Sequence, residues 1–365
     1  MSSPAALSDL TAGAQRLALV GLAKNTGKTE ALAALLRELR AAGRTIGVTS
    51  VGRDGEEHDV IDNRIAKPRV LLSGGSLVAS TDALLRASAI PYDLLEQTDV
   101  RTPLGRVLIA RLRGPGAIEV AGPSAAAQVR AVADAMLAHG AEQVLIDGAI
   151  DRRAASSPDV SDGLVMSTGA VLADELEEVV RQTRAAVELV RLPNLESERE
   201  HGGRLAELAL LAGEGSLLAG EDGDPAVLAP HLALTAGAAE LGQLLDGSPD
   251  ARWLLLPGAL PERFLAELLA ALRRRGRELT LVVADATRVF LGDRGIDWYE
   301  RQGIHVRVLR PIELLALTVN PVAPQSHTLD SAELRALLAQ ELGELPIFDV
   351  LHPDYRGVRE PVGET

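Results

Sequence analysis

Only three lysines stand among the 37 basic residues of this chain, and two of them, Lys24 and Lys28, fall inside Gly21-Leu22-Ala23-Lys24-Asn25-Thr26-Gly27-Lys28-Thr29. Elsewhere, except at Lys67, the sequence uses arginine. The clustering marks a place that needs an ammonium, a compact point charge that enters a glycine-lined anion cradle which the planar guanidinium fork does not fit. Backbone N–H groups that converge at a helix N-terminus bind phosphate, and a glycine lets the backbone come close. On this reading Lys28 reaches the β- and γ-phosphates of a nucleotide, Thr29 offers its hydroxyl to Mg²⁺, and Asn25 and Thr26 contribute N–H donors. Gly21, Lys24 and Glu30 complete the residues expected to contact the nucleotide. Five residues separate Gly21 from Gly27 where the common pattern has four. The competing reading is a glycine turn that caps an ordinary helix.

Phosphate binding alone hydrolyses nothing, because Mg²⁺ and the attacking oxygen need carboxylates. Asp147 follows the apolar run Val144-Leu145-Ile146 and is expected to hold Mg²⁺ through water; otherwise it is a turn residue in Asp147-Gly148. Asp54 is expected as the second metal arm, in an acidic loop where Glu56, Glu57 or Asp59 could take the same role and where solvated surface is the alternative. His58, among these acids, reads as a surface residue, and Arg152 and Arg153 as surface ion-pair partners. Lys67 is a weaker phosphate or acidic-substrate candidate. None of the three lysines stands in the guanine-selecting motif, so ATP is expected over GTP. Asn320-Pro321-Val322-Ala323-Pro324 reads as a stiff turn after a strand; closing over a base or binding a partner is the other reading.

The elements that must position these residues are legible in the pattern. Leu17 to Val20 is a short apolar strand, and Lys28 to Ala41 carries Leu32, Leu35, Leu36 and Leu39 at helical spacing, with Gly43 as the stop. A second strand spans Thr45 to Val51; Ser124 to Ala138 and Asp174 to Val190 read as helices, and Gln143 to Asp147 as a buried strand. Alternation of this kind predicts an α/β fold: a P-loop domain built on a parallel sheet, plus a second, smaller α/β domain. The expected division is a flexible tail over 1–15, the nucleotide domain over 16–212, a glycine-rich acidic linker over 213–225, the second domain over 226–355 and a flexible tail over 356–365. Only Tyr92 among the aromatic residues precedes residue 250.

At 365 residues one core is too few, which agrees with two domains. A net charge of -14 with no basic stripe argues against a nucleic-acid partner. The absence of cysteine excludes disulfides, thiolate nucleophiles and cysteine-type metal sites, and fits a reducing cytoplasm. The first residues lack a signal-peptide pattern and no uncharged apolar run is long enough for a bilayer, so neither secretion nor membrane insertion is expected.

The loop Gly21 to Thr29 resembles that of the dethiobiotin-synthetase and Min-type class of P-loop proteins, and Lys24 to Thr29 is similar to the loop of the molybdopterin-guanine-dinucleotide accessory protein. Together with Thr49 to Glu56, Lys67-Pro68-Arg69, Ile146 to Arg152, Ser167 to Ala170 and Thr318 to Pro321, it resembles the P-loop subunits of lysine 5,6-aminomutase reactivase. The resemblance spans most of the chain, and the phosphate loop is its one specific motif. It implies an ATPase, with ATP and Mg²⁺ as cofactors, that works with a MutS-like ATPase subunit to exchange damaged cobalamin in an adenosylcobalamin-dependent aminomutase. The chain carries no Asp-x-His-x-x-Gly cobalamin signature, which agrees with a helper of the mutase. Lys24 is one residue out of register with the signature lysine of Min-type loops, so it is not expected to reach across a dimer, although a homodimer stays open. The alternatives are an ATP-dependent synthetase and a nucleotide-gated binding protein without appreciable turnover.

Overall fold

The computed structural model describes residues 6–52, 69–149, 153–195, 208, 215–292, 294–324, 327–353 and 355. The chain divides into two units. One comprises Met1–Arg184 together with Glu313–Thr365, the other Ala185–Ile312.

The first unit opens with a short helix, α1 (Leu7–Thr11), then β1 (Arg16–Gly21), α2 (Lys28–Ala41) and β2 (Ile46–Ser50). Next come β3 (Val70–Leu72), β4 (Leu77–Thr81), α3 (Asp82–Ala87), β5 (Tyr92–Thr102), β6 (Gly105–Leu112), β7 (Gly116–Ile118) and α4 (Ala126–Ala138). β8 (Gln143–Ala149), β9 (Gly163–Gly169) and α5 (Leu176–Val190) lead to the second unit, which holds β10 (Ser216–Ala219), β11 (Ala226–Leu228), α6 (Leu232–Thr235), α7 (Ala238–Gly247), β12 (Trp253–Leu256), β13 (Leu260–Pro261), α8 (Glu262–Arg273), β14 (Leu279–Val283), β15 (Val289–Phe290), α9 (Ile296–Glu300) and β16 (Ile304–Val308). The chain then returns to the first unit with β17 (Leu314–Asn320), α10 (Ser331–Leu342) and β18 (Ile347–Phe348).

The fold is α/β. The nine-stranded sheet of the first unit has the order β18-β17-β9-β1-β8-β2-β4-β6-β5. From β18 to β4 the neighbours are parallel. β6 and β5 add an antiparallel edge, so the sheet is mixed where a parallel one is expected. The central strands are covered on both faces, as parallel strands must be: Leu17, Ala18, Leu19 and Val20 of β1 and Leu164, Val165 and Met166 of β9 are all buried. α2 lays Ala31, Leu32, Leu35 and Leu39 into this core at the helical repeat.

The expected domain boundaries are corrected in three places. β10, inside the expected linker, is a fully buried strand that pairs with β11 and β12, so Ser216–Ala219 belongs to the core of the second unit and is not linker. Residues 313–355 pair with the first sheet through β17 and β9 and do not belong to the second unit. The N-terminal stretch is not a free tail from residue 6 onward: Leu7 is fully buried, Ser8 N–H donates to Glu38 Oε2 at 2.9 Å, and Gln143 Nε2 donates to the carbonyls of Thr11 and Ala14 at 2.8 and 2.7 Å. The Tyr355 hydroxyl donates to the other oxygen of the buried Glu38, and burial first, then that carboxylate, pushes the phenol's pKa up. Ser8 and Tyr355 are thus both fastened to Glu38 near the far end of α2.

The sheet of the second unit has the order β11-β10-β12-β14-β16, with β12, β14 and β16 parallel. Its core gathers Leu217, Ala219, Trp253, Leu255 and Val282. On β16, His305 lies 2.7 Å from Glu300 Oε2 and 3.4 Å from Glu278 Oε2, while Arg307 reaches Glu300 Oε1 at 3.0 Å. Burial opposes the imidazolium, but the two carboxylates outweigh it and the pKa of His305 is raised. A raised folded-state pKa adds stability that is complete below the unfolded value, near 6.5, and fades as pH climbs through the folded one. His305→Gln is therefore expected to destabilise the protein at pH 6 and to change it little at pH 9. Denaturant titrations of both proteins at the two pH values check this, and equal losses at both would contradict it.

Candidate functional site

β17, β9, β1, β8 and β2 are consecutive neighbours, and their carboxyl ends share one edge of the sheet. Crevices beyond this edge are where open α/β sheets bind ligands. The segment from Leu22 to Gly27 joins β1 to α2 at that edge. Its first residue is anchored by Leu22 N–H donating to the Ser167 carbonyl at 2.9 Å. Thr26 is buried and its hydroxyl donates to the Ala23 carbonyl at 3.0 Å, which curls the loop back on itself. A Cβ at Gly21 would lie 2.5 Å from Thr26 Oγ1, so only glycine leaves room for that curl.

Two residues of the loop are left-handed, Asn25 at φ 66° and Gly27 at φ 85°. For Gly27 the conformation carries no steric penalty; for asparagine it is uncommon but tolerated. Together they turn the chain into α2, whose 14 residues present unpaired N–H groups and the positive end of the helix dipole. Thr29 and Glu30, in the first turn, are exposed, as are Lys24 and Asn25 in the loop.

Lys28 opens the helix, and its ammonium donates to the Gly148 carbonyl at 2.6 Å and lies 2.6 Å from Asp147 Oδ1. The two side chains keep 23% and 30% of their surface, so the pair is partly desolvated and yet open to a ligand. Asp147 Oδ1 itself is shut from solvent and receives no well-aligned hydrogen bond; the adjacent ammonium is the cation that balances it. β8 runs through Asp147 to Ala149, with Asp147 opposite Leu19 of β1 and Ser50 of β2. The strand thus does not end at the aspartate, and the turn reading of Asp147 does not hold.

Described residues of four segments on which the resemblance rests meet at this edge. Thr49 to Gly52 leaves β2, Ile146 to Ala149 closes β8, Ser167 to Ala170 closes β9, and Thr318 to Pro321 closes β17. Ser167 and Thr318 share a buried hydroxyl–hydroxyl hydrogen bond of 2.7 Å. Asp54, Glu56, Glu57, His58, Asp59, Lys67 and Arg152 lie outside the described residues. Among the described residues no group of three or more histidine, cysteine, aspartate or glutamate side chains could hold a metal ion by itself, and no helix is long and apolar enough to cross a membrane.

No family model, curated protein or solved structure matches the chain. The chemistry of the site thus has to be read from its own groups. The N–H groups of the first turn of α2, the Lys28 ammonium, the Asp147 carboxylate and the exposed Thr29 hydroxyl are groups that suit a phosphate chain with Mg²⁺. Mg²⁺ takes one or two carboxylates and draws its remaining ligands from phosphate and water, so the lack of a three-acid cluster is compatible with it. Among the described residues the buried Oδ1 of Asp147, which faces the Lys28 ammonium, and the exposed Thr29 are the donors that fit.

Asn320 has a contact that its sequence context does not announce. It stands 295 residues from Asn25 and donates through Nδ2 to the Asn25 carbonyl at 3.1 Å. The Asn-Pro dipeptide signals a turn; that the turn abuts the loop depends on the pairing of β17 with β9.

Proposed function

We propose that the chain binds Mg-ATP at the start of α2 and hydrolyses it as the nucleotide-driven subunit of a reactivase. Its client is an adenosylcobalamin-dependent aminomutase, from which damaged cobalamin is exchanged together with a MutS-like ATPase subunit. The observation that carries the nucleotide reading is the Lys28 ammonium, held 2.6 Å from both Asp147 and the Gly148 carbonyl behind a left-handed glycine. The reactivase role rests on the resemblance of the segments that line the same edge. The second unit, inserted between Arg184 and Glu313, supports a helper that grips another protein, since a compact synthetase has no need of it. The acidic balance of -14 favours a partner with a basic docking face.

On this reading Lys28 would turn from Asp147 to the phosphates, and Asp147, through water, and the Thr29 hydroxyl would hold Mg²⁺. When bound, Mg²⁺ neutralises charge on the transferred phosphoryl group. Asp147→Asn separates these roles. Removing the carboxylate frees the ammonium, so affinity for metal-free ATP is expected to rise, whereas Mg²⁺-dependent hydrolysis falls by at least tenfold. Calorimetry with EDTA and a phosphate-release assay measure the two. Wild-type turnover in Asp147→Asn would remove the metal role.

The function is tested with hydroxocobalamin-inactivated aminomutase, adenosylcobalamin, Mg-ATP, this chain and the MutS-like subunit. Recovery of mutase activity that requires both ATP and this chain is the expected result. ATP turnover by the chain alone is expected to be slow, because a partner can complete the site of a phosphoryl-transfer enzyme. Rapid partner-free turnover with a small carboxylate or diamine substrate would assign the chain to the synthetases instead.

A further inference from the structure

The geometry points to Asn320 as a positioning residue for the loop between β1 and α2, an inference that rests on the nucleotide reading of that loop. Three contacts carry it. The side-chain amide donates to the Asn25 carbonyl at 3.1 Å. Its oxygen accepts from Val322 N–H at 3.1 Å, which fixes the amide's orientation and leaves Nδ2 facing the loop. Its Cβ stands where a side chain on Gly27 would have to go, 2.8 Å from an ideal Cβ built there.

Asn320 itself is held from behind. A Cβ on Gly169 would come within 2.2 Å of the Asn320 carbonyl, so the backbones of β9 and β17 are in direct contact at this point. β9 also holds the loop's first residue, through the Ser167 carbonyl and Leu22 N–H. The loop is thus gripped at its start by β9 and at its left-handed turn by the last residue of β17. A non-glycine residue with positive φ persists only where its surroundings over-determine it. Asn25 at φ 66° has an exposed side chain, and the bond to its carbonyl from Asn320 supplies that determination. Because the N–H groups of Thr26, Gly27 and Lys28 follow directly, their aim at a phosphate depends on this turn.

Positioning of the cradle predicts an effect that ignores the base. Asn320→Ala is expected to weaken Mg-ATP, Mg-GTP and Mg-tripolyphosphate by the same factor, about threefold to tenfold, the range that loss of one neutral hydrogen bond gives. KM for ATP rises with kcat nearly unchanged. Amide exchange of residues 22–28 in the nucleotide-free protein quickens, while exchange in β9 and the melting temperature stay close to wild type. Asn320→Asp keeps the shape and the acceptor for Val322 N–H but cannot donate, and in the nucleotide-free exchange experiment it is expected to behave like Asn320→Ala. Weakening confined to ATP would mean that Asn320 reads the base and overturn the positioning role. Unchanged exchange over 22–28 in both variants would overturn it as well. Should the wild-type protein bind none of the three ligands, the nucleotide reading fails, and the exchange experiment still decides whether Asn320 fixes the loop.

Discussion

Lys28→Ala is expected to abolish measurable Mg-ATP binding, and Lys28→Arg to be nearly as damaging. The ammonium now contacts the Gly148 carbonyl and Asp147, each at 2.6 Å, in a space closed on one side by β8. Two phosphate oxygens would replace those contacts. Hydrogen bonds to charged groups contribute about 1.5–3 kcal/mol each, so losing two weakens binding at least a hundredfold. Arginine keeps the charge and not the shape. Its five donors lie in a rigid plane, and a fork that wide cannot sit between Gly148 and the start of α2 without displacing one of them. Titration calorimetry on the three proteins measures the effect. Wild-type affinity in Lys28→Arg would mean that the lysine clustering carries no chemical information.

The second large effect is expected from Gly27→Ala. A left-handed backbone costs an L side chain roughly 1–2 kcal/mol. At Gly27, φ 85°, the new methyl would also meet Asn320 Cβ at 2.8 Å, a distance at which one of them must move. The loop relieves both problems by opening, which scatters the donors meant for phosphate, and Mg-ATP affinity is expected to fall by more than tenfold. Gly43→Ala is the control. It has φ 73°, nothing lies within 4 Å of the added Cβ, and it sits at the other end of α2. It is expected to lower the melting temperature as Gly27→Ala does while leaving affinity intact. Equal affinity losses in the two variants would show that helix stability governs binding and that the loop's shape does not.

Some expectations survive in detail because local chemistry enforces them. Lys28–Ala41 forms where leucine spacing places it, and the apolar run Leu17 to Val20 lies within β1. Gly43 stops α2 in a left-handed conformation, as glycine after a helix does. β9 is the instructive omission. Gly163-Leu164-Val165-Met166-Ser167-Thr168-Gly169 mixes apolar and small polar residues, and its polar side chains are satisfied by partners remote in sequence. Ser167 bonds Thr318, and Thr168 bonds Thr183 at 2.6 Å. A strand whose polar groups are neutralised across the fold has no alternation to announce it.

α1 and Tyr355 teach the same lesson from the chain ends. Leu7-Ser8-Asp9-Leu10-Thr11 is too short for periodicity, and its order comes from Glu38 and Gln143. A buried glutamate on the apolar side of α2 looks like an interruption of the stripe until Ser8 and Tyr355 are seen to satisfy it. The inserted unit likewise escapes a linear reading. Composition marks residues 213–225 as a linker, yet the polar turn between β10 and β11 supplies three of its four acids and two of its four glycines, and the strand inside it is buried.

What the sequence determined by itself is the local device: a strand, a glycine turn and a helix that begins with Lys28 and Thr29. Those residues lie within a dozen positions of one another, and their conformations follow from short-range sterics and hydrogen bonding. What only the tertiary structure decided is what that device faces. Asp147 comes beside Lys28 because β8 pairs with β1, and Asn320 reaches Asn25 because the chain crosses the second unit before adding β17 next to β9. Strand order is set by burial summed over the whole sheet, and no window of sequence contains that sum.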